Sequence, residues 1–256
     1  MVVVEEMTKQ GILGEKTYYK LGPMEDGTQR IYIPMETWAL ECDELAVNTV
    51  NNGHHPGMII QLTRAGAYVG MMLSETLPIL YGKKGIKSQN PLPYCSVQCI
   101  RVGNDRVMNA YDIERAALLM QGREYVYRLY EGIFVKEALE RQEKFSEIAL
   151  VDENFDHGLS LVYTKNAILQ LHENFFGAED DYKQPDIHIM VTHRKIGAEK
   201  TGERPCASAT EFGKEWLIYE HEAANDLTPE EMRILRPRRH DLIHNSNVLK
   251  ELSRIS

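Results

Sequence analysis

PDIHIMVTHRK, residues 185–195, has the clearest strand pattern in the sequence. Alternate residues of a β-strand share one face, so Asp186 and His188 point to the same side. The aliphatic residues of the other face are Ile187, Ile189 and Val191. We predict that the aliphatic face is buried and that Asp186 and His188 meet water or an interface, as on the solvated side of an antiparallel sheet.

The remaining sequence predicts an α+β fold with a helix-rich amino-terminal half. Hydrophobic periodicity places long helices there, and it places a small, mostly antiparallel sheet with helices in the carboxyl-terminal half. The predicted elements are a hairpin over residues 17–34, a helix beginning after Pro34, a helix over 57–80, a strand over 94–102, a very long helix over 110–150, strands over 159–163, 186–193 and 215–222, and a helix beginning at Thr228.

The pattern of predicted elements changes near residue 150, from mostly helices to a mixture of strands and helices, and this change predicts two regions. Residues 1–150 are expected to form a hairpin plus long-helix region, and residues 151–256 an α+β region. VDENFDHG, residues 151–158, is the best break between them, but it is too short to let two domains move freely. One continuous domain therefore stays the alternative.

The composition is that of a globular protein and limits the class of partner. The 256 residues carry a formal net charge of −9, so nucleic-acid contact would need a local basic patch. Four scattered cysteines without a C-x-x-C pair predict reduced thiols, a cytoplasmic location and no zinc-ligand spacing. The amino-terminal residues lack the basic region of a signal peptide. No cofactor is expected.

MIIQLTRAGAYVGMML, residues 58–73, is apolar enough to raise the question of a membrane span. It is shorter than the ~20 residues that a spanning helix needs, and Arg64 lies near its middle. We therefore predict a buried core helix and no membrane association. Gly66 and Gly70, four residues apart, would let another helix approach closely.

Four residues of the second half are candidates for a catalytic or metal site. If the strands over 186–193 and 215–222 paired, the side chains of Asp186, His188, Glu220 and Glu222 would cluster. Carboxylates and imidazoles together suit a divalent cation. The favoured interpretation is still a half-buried strand with one solvent-exposed face. Such a strand shows the same alternation of polar and apolar residues as a strand that holds a metal site.

Two histidine pairs are weaker candidates for metal ligands. His240 and His244 would share a helix face, but the glutamate of H-E-x-x-H and an obvious third ligand are missing. His54 and His55 lie in a predicted turn and are expected to be exposed. We predict no metal site.

A basic run, RILRPRRH over residues 233–240, predicts a contact with an anionic partner. Arg236, Arg238 and Arg239 would make that contact, either with nucleic acid or with an acidic surface of a neighbouring subunit.

No catalytic motif reaches its full set of residues, so the sequence favours a non-enzymatic protein. The leading hypothesis is an assembly or interaction protein, a subunit of a larger complex, with a viral or phage particle component as one form of it. Long helices often form subunit contacts, so a homo-oligomer or protein partners are expected. The alternative is a metal-dependent nuclease or phosphodiester hydrolase that uses residues 185–222.

Overall fold

The computed structural model describes the strand over residues 186–195 and the elements around it. The described residues are 3–63, 66–98, 146–156, 158, 161, 162, 164–166, 168, 169, 173, 177, 178, 182–197, 202–221 and 226–235.

Within the described residues, nine strands and three helices have definite bounds. The strands are β1 (Val4–Gln10), β2 (Glu15–Leu21), β3 (Arg30–Ile33), β4 (Met58–Thr63), β5 (Tyr94–Gln98), β6 (Glu147–Phe155), β7 (Asp186–Lys195), β8 (Ala207–Phe212) and β9 (Trp216–Tyr219). The helices are α1 (Met35–Asn51), α2 (Gly66–Lys83) and α3 (Pro229–Leu235). Further helical residues occur between 161 and 173.

The chain divides into two compact units. The first unit contains residues 1–10, 14–38 and 214–256, and the second contains residues 11–13 and 39–213. Residues 150 and 151 both belong to β6 of the second unit. The division into residues 1–150 and 151–256 stays a prediction.

The second unit is built on a five-stranded sheet in which every neighbouring pair is parallel. Its strand order is β5-β4-β6-β7-β8, with β4 paired on one side with β5 and on the other with β6. Parallel strands joined through helices define an α/β architecture. The prediction of an α+β fold with a helix-rich amino-terminal half and a mostly antiparallel sheet is therefore wrong.

Burial explains why the pattern of β7 was misleading. Ile187, Ile189 and Val191 are buried as predicted, but the other face is covered too from Met190 onward. On that face Thr192 is fully buried and donates to the carbonyl oxygen of Glu153 at 2.8 Å. On the aliphatic face His193 is fully buried too, and its Nε2 lies 2.7 Å from Oε2 of the buried Glu41. Polar residues with internal partners gave a core strand the alternation of a solvated one.

The first unit contains a smaller sheet of order β1-β2-β3-β9. β2 and β3 pair antiparallel, with Tyr19 opposite Tyr32, which confirms the predicted hairpin. β9 adds to β3 in parallel, so the predicted strand over 215–222 is present as a shorter element. It does not pair with β7, because the two strands belong to different sheets.

The predicted helix over residues 57–80 is instead a strand followed by a helix. Residues 58–63 form β4, whose buried Ile59, Ile60 and Leu62 suit a central strand, and α2 begins at Gly66. Pro78 lies inside α2 rather than ending it. Pro78 has no N–H for the carbonyl of Ser74, and the amide of Leu92 donates to that carbonyl instead, at 2.9 Å.

The predicted long helix over 110–150 lies mostly outside the described residues. Its last part is wrong, because residues 147–150 belong to β6. The predicted strand over 159–163 is also wrong at the two residues described, 161 and 162, which are helical. A search of the described residues finds no helix long and apolar enough to cross a membrane.

The start of α3 confirms a local prediction. Thr228 precedes the helix, and its Oγ1 accepts from the backbone N–H of Glu231 at 3.2 Å. The carboxylate of Glu231 in turn accepts from the backbone N–H of Thr228 at 2.8 Å, which completes a capping box. The other carboxylate oxygen binds Arg30 of β3 at 2.5 Å, so the cap also ties the helix to the sheet.

We expect Glu231→Gln to lower the free energy of unfolding by about 1–3 kcal/mol near neutral pH, because charge-assisted bonds to a buried carboxylate are lost. Burial raises the pKa of Glu231, but hydrogen bonds from Thr228 and Arg30 outweigh burial and leave that pKa lowered. A lowered native-state pKa gives stability that is present above the unfolded-state pKa and lost as pH falls through the native value. The difference between wild type and variant should therefore shrink below about pH 4.

Denaturant unfolding at several pH values measures this difference. Glu230→Gln is the matched control, because that side chain is in the same turn and is 57 % exposed. Equal losses in the two variants, or a loss from Glu231→Gln that persists in acid, would contradict the assignment.

Candidate functional site

The second unit has a topological switch point between β4 and β6. The chain leaves β4 to reach β5 on one side, and the later strands β6, β7 and β8 follow on the other. In sequence order this is the doubly wound arrangement 2-1-3-4-5, in which the connections on either side of the switch leave a crevice. Ligands of such sheets bind in that crevice, at the carboxyl ends of the strands.

Acidic residues lie at the carboxyl end of β6. Asp152 and Glu153 are in the second half of the strand, and Asp156 follows it directly. Asp152 Oδ1 accepts from the backbone N–H of Glu153 at 3.0 Å. Lys195, the last residue of the neighbouring β7, is buried and brings its Nζ to 3.6 Å from Asp156 Oδ1. The switch point therefore combines several carboxylates with one ammonium group.

The amino terminus of α2 approaches the same end of β6. A Cβ on Gly66 would lie 3.1 Å from the carbonyl oxygen of Val151 and 3.2 Å from both Cα and Oδ1 of Asp152. Only a residue without a side chain fits this contact without displacing backbone. Gly66 thus holds the positive end of α2 against the acidic strand end.

A second glycine shapes the loop after β6. Gly158 has a φ of 75°, a left-handed conformation that favours glycine, and a Cβ there would lie 2.3 Å from the ring of Phe155. Its carbonyl oxygen accepts from the backbone N–H of Val162 at 3.0 Å, so a helical turn begins at this glycine. Two helix starts therefore flank the switch point.

This arrangement suits a ligand with both phosphate and hydroxyl groups. Backbone N–H groups at a helix start, reached through glycine, bind phosphate. Carboxylates accept hydrogen bonds from sugar hydroxyls and hold Mg²⁺. Asp152, Glu153 and Asp156 could serve either role.

These residues were not among the sequence candidates. IALVDENFDHG was interpreted as the end of a helix followed by a break between regions. The usable signal was an aliphatic run followed by acids and then by glycine, which is typical of a buried parallel strand that ends in a binding loop.

The catalytic candidates from the sequence do not meet in this crevice. Asp186 is exposed and His188 half-buried at the amino end of β7, the opposite edge of the sheet from Asp156 and Lys195. Glu220 belongs to the first unit, where Oε2 accepts from the backbone N–H of Met35 at 2.9 Å and so caps α1. Glu222 lies outside the described residues.

The remaining candidates are placed as follows. Gly66 and Gly70 are both in α2, and their close neighbours are strands rather than a second helix: Gly66 meets β6, and a Cβ on Gly70 would collide with the side chain of Gln61 in β4. Arg236, Arg238, Arg239, His240 and His244 lie outside the described residues, and their predicted roles stay predictions.

The histidines of the turn after α1 are half-buried rather than exposed. His54 packs on His188 with ring centroids 4.2 Å apart, and His55 packs edge-on against Tyr81 at 5.6 Å. Burial and then the charge of His188 lower the pKa of His54. Burial raises the pKa of the nearby Cys206 to about 11.

No protein-family model matches the chain, and no curated protein matches it. Several solved structures do resemble it. A purine phosphoribosyltransferase from Pyrococcus horikoshii is 14% identical with a TM-score of 0.43, covering 75% of this chain and 94% of that chain. A hypothetical protein from Neisseria gonorrhoeae with bound ppGpp is 16% identical with a TM-score of 0.49, covering 81% and 96%. A xanthine-guanine-hypoxanthine phosphoribosyltransferase from Helicobacter pylori is 13% identical with a TM-score of 0.42, covering 76% and 95%.

These comparisons correct the predicted function. Two of the three structures are phosphoribosyltransferases, and the third is a hypothetical protein with bound ppGpp. The predictions of a non-enzymatic assembly subunit, of a viral or phage particle component and of a nuclease are therefore wrong. At these TM-scores and identities, the likeness transfers neither a substrate nor a partner to this chain.

We expect Gly66→Ala to lower the free energy of unfolding by about 1–3 kcal/mol, because the added methyl group meets backbone atoms of β6 that cannot move aside cheaply. Gly82→Ala is the matched control in the same helix, since a Cβ there has nothing within 4 Å. That substitution should leave stability unchanged or raise it by up to about 1 kcal/mol. Thermal or denaturant unfolding of both variants measures the difference, and effects of the same sign would contradict the close approach.

Proposed function

We propose that this protein binds a ribose phosphate at the crevice between β4 and β6 and transfers a phosphoribosyl group to an acceptor base. The observation that supports it is the acidic end of β6 at a topological switch point, flanked by two helix starts that both need glycine.

The phosphate would bind in the loop after β6. Gly158 takes the left-handed conformation that turns the backbone into the helical turn beginning there, and an anion would bind at the start of that turn. Both the positive end of the helix and the missing side chain favour a phosphate at this position.

The sugar would lie over the end of β6. Asp152, Glu153 and Asp156 offer carboxylates to ribose hydroxyls, and Mg²⁺ held by the same carboxylates would neutralise the charge of the ligand's phosphate groups. Lys195, at 3.6 Å from Asp156, can contribute a further positive charge. Phosphate and sugar thus find complementary partners at the end of β6, in the loop after it and at the end of β7.

Transfer of a phosphoribosyl group is a reaction that such a site can assist. The bond from the sugar's anomeric carbon to its leaving group breaks as the bond to the acceptor forms, and glycosyl transfer of this kind develops positive charge on the sugar ring. Fixed carboxylates beside the ring stabilise that charge without reorganising. Two of the structural neighbours are named for this reaction, which makes it the first to test.

The test uses the purified full-length chain with 5-phosphoribosyl 1-pyrophosphate, Mg²⁺ and each of the common purine and pyrimidine bases. We expect release of pyrophosphate with at least one base, and loss of that release when the metal is chelated. Asp156→Asn should lower the rate on the order of 100-fold, because it removes a charge at the reacting end of the site.

Asp186→Asn is the matched control, since this exposed acid lies at the opposite edge of the same sheet. It should leave the rate unchanged. Calorimetric binding of the donor without transfer to any base would reject the enzymatic part of the proposal, and the absence of binding would reject the site itself.

A cytoplasmic location and association into a homo-oligomer are compatible with this proposal. Both stay predictions, as does the anionic contact through Arg236, Arg238 and Arg239.

A further inference from the structure

The amino edge of the parallel sheet has a cluster of its own. His54 lies just before β4, His188 near the start of β7, and Cys206 immediately before β8. Glu147, the first residue of β6, lies beside them. Parallel strands all start at the same edge, so residues far apart in sequence meet there, at the edge opposite the proposed ribose phosphate site.

The ligand atoms of this cluster already lie close together. One ring nitrogen each of His54 and His188 and the sulfur of Cys206 are all within 4.8 Å of one another. The two imidazole rings are in contact, with centroids 4.2 Å apart. His188 Nε2 lies 3.2 Å from Glu147 Oε2.

The backbone around these side chains is held in place. Cys206 donates its N–H to the carbonyl oxygen of Ile189 at 2.9 Å, and its own carbonyl accepts from Asn52 Nδ2 at 3.0 Å. His54 donates its N–H to Thr49 at 3.1 Å, directly after Gly53 with a φ of 83°. His54 therefore follows the carboxyl end of α1, where the helix dipole favours a cation.

We propose that His54, His188 and Cys206 form a zinc site at the amino edge of the sheet. Two imidazoles and one thiolate are ligands that Zn²⁺ prefers, and small side-chain shifts would bring them to the distances of ~2.0–2.3 Å that zinc requires. Three protein ligands leave a fourth position for water. The site is independent of the proposed phosphoribosyl transfer.

Glu147 fits the role of a positioning residue in this site. A histidine that binds a metal usually donates its other ring nitrogen to a carboxylate, which fixes the ring orientation. Glu147 holds one ring nitrogen of His188 and leaves the other for zinc. The same Glu147 oxygen accepts from the backbone N–H of His55 at 2.8 Å, so the carboxylate itself is fixed.

The donor set favours zinc over magnesium or calcium. Mg²⁺ and Ca²⁺ take oxygen ligands, whereas this cluster offers two nitrogens and a sulfur. A zinc ion here would join the turn after α1 to the starts of β7 and β8. Its binding would therefore stabilise the folded second unit.

The test is metal binding by the full-length protein after removal of metal with a chelator and dialysis. We expect one tightly bound Zn²⁺ and, with Co²⁺ as a spectroscopic probe, a thiolate-to-cobalt charge-transfer band. Cys206→Ser should abolish the band. His54→Gln should weaken binding strongly, and Glu147→Gln should weaken it by about 10–100-fold.

His55→Gln is the matched control for His54→Gln, because the two residues are neighbours and the ring of His55 packs on Tyr81 outside the cluster. It should bind zinc as wild type does. Unfolding of each metal-free variant checks that it folds, and zinc should raise Tm only where the three ligands are intact. Failure to bind Zn²⁺, or binding that survives both Cys206→Ser and His54→Gln, would overturn the proposal.

Discussion

The pairing of β4 with parallel neighbours on both sides is the constraint on which the second unit depends. Parallel strands need crossover connections, and the connections that follow β4 and β6 lead to opposite sides, toward β5 and toward β7, which leaves a crevice between them. The crevice at the end of β6 follows from this strand order. Gly66 then becomes necessary, because α2 can begin beside the crevice only if its first residue fits against the backbone of β6.

The same order explains why polar chemistry is concentrated at the two edges of the sheet. Along the strands, aliphatic side chains such as Ile148, Leu150 and Ile189 form one buried cluster. Among the polar residues buried between the edges, His193 and Glu41 pair with each other. Groups able to bind a ligand are therefore found at the two edges, with carboxylates and Lys195 at the carboxyl edge and two imidazoles, a thiol and Glu147 at the amino edge.

Local features of the fold could be predicted from the sequence, and long-range ones could not. The hairpin and the cap at Thr228 depend on residues close together in the chain, so their patterns were sufficient. The pairing of Met58 with Ile148 depends on distant residues, and a buried strand of β4's length looks like a helix segment. The cluster of His54, His188 and Cys206 was missed because parallel pairing alone brings its members together. The acids of β6 were missed because the strand before them was interpreted as the end of a helix.

Pro78 shows how one residue can make a helix depend on chain that follows it. An unbroken helix satisfies its own carbonyls, but the carbonyl of Ser74 is satisfied by Leu92, beyond the end of α2. A buried carbonyl without a partner is unfavourable, so the middle of α2 is complete only when the segment leading into β5 has docked. Helix and returning strand are thus expected to fold and open as one cooperative element rather than in sequence.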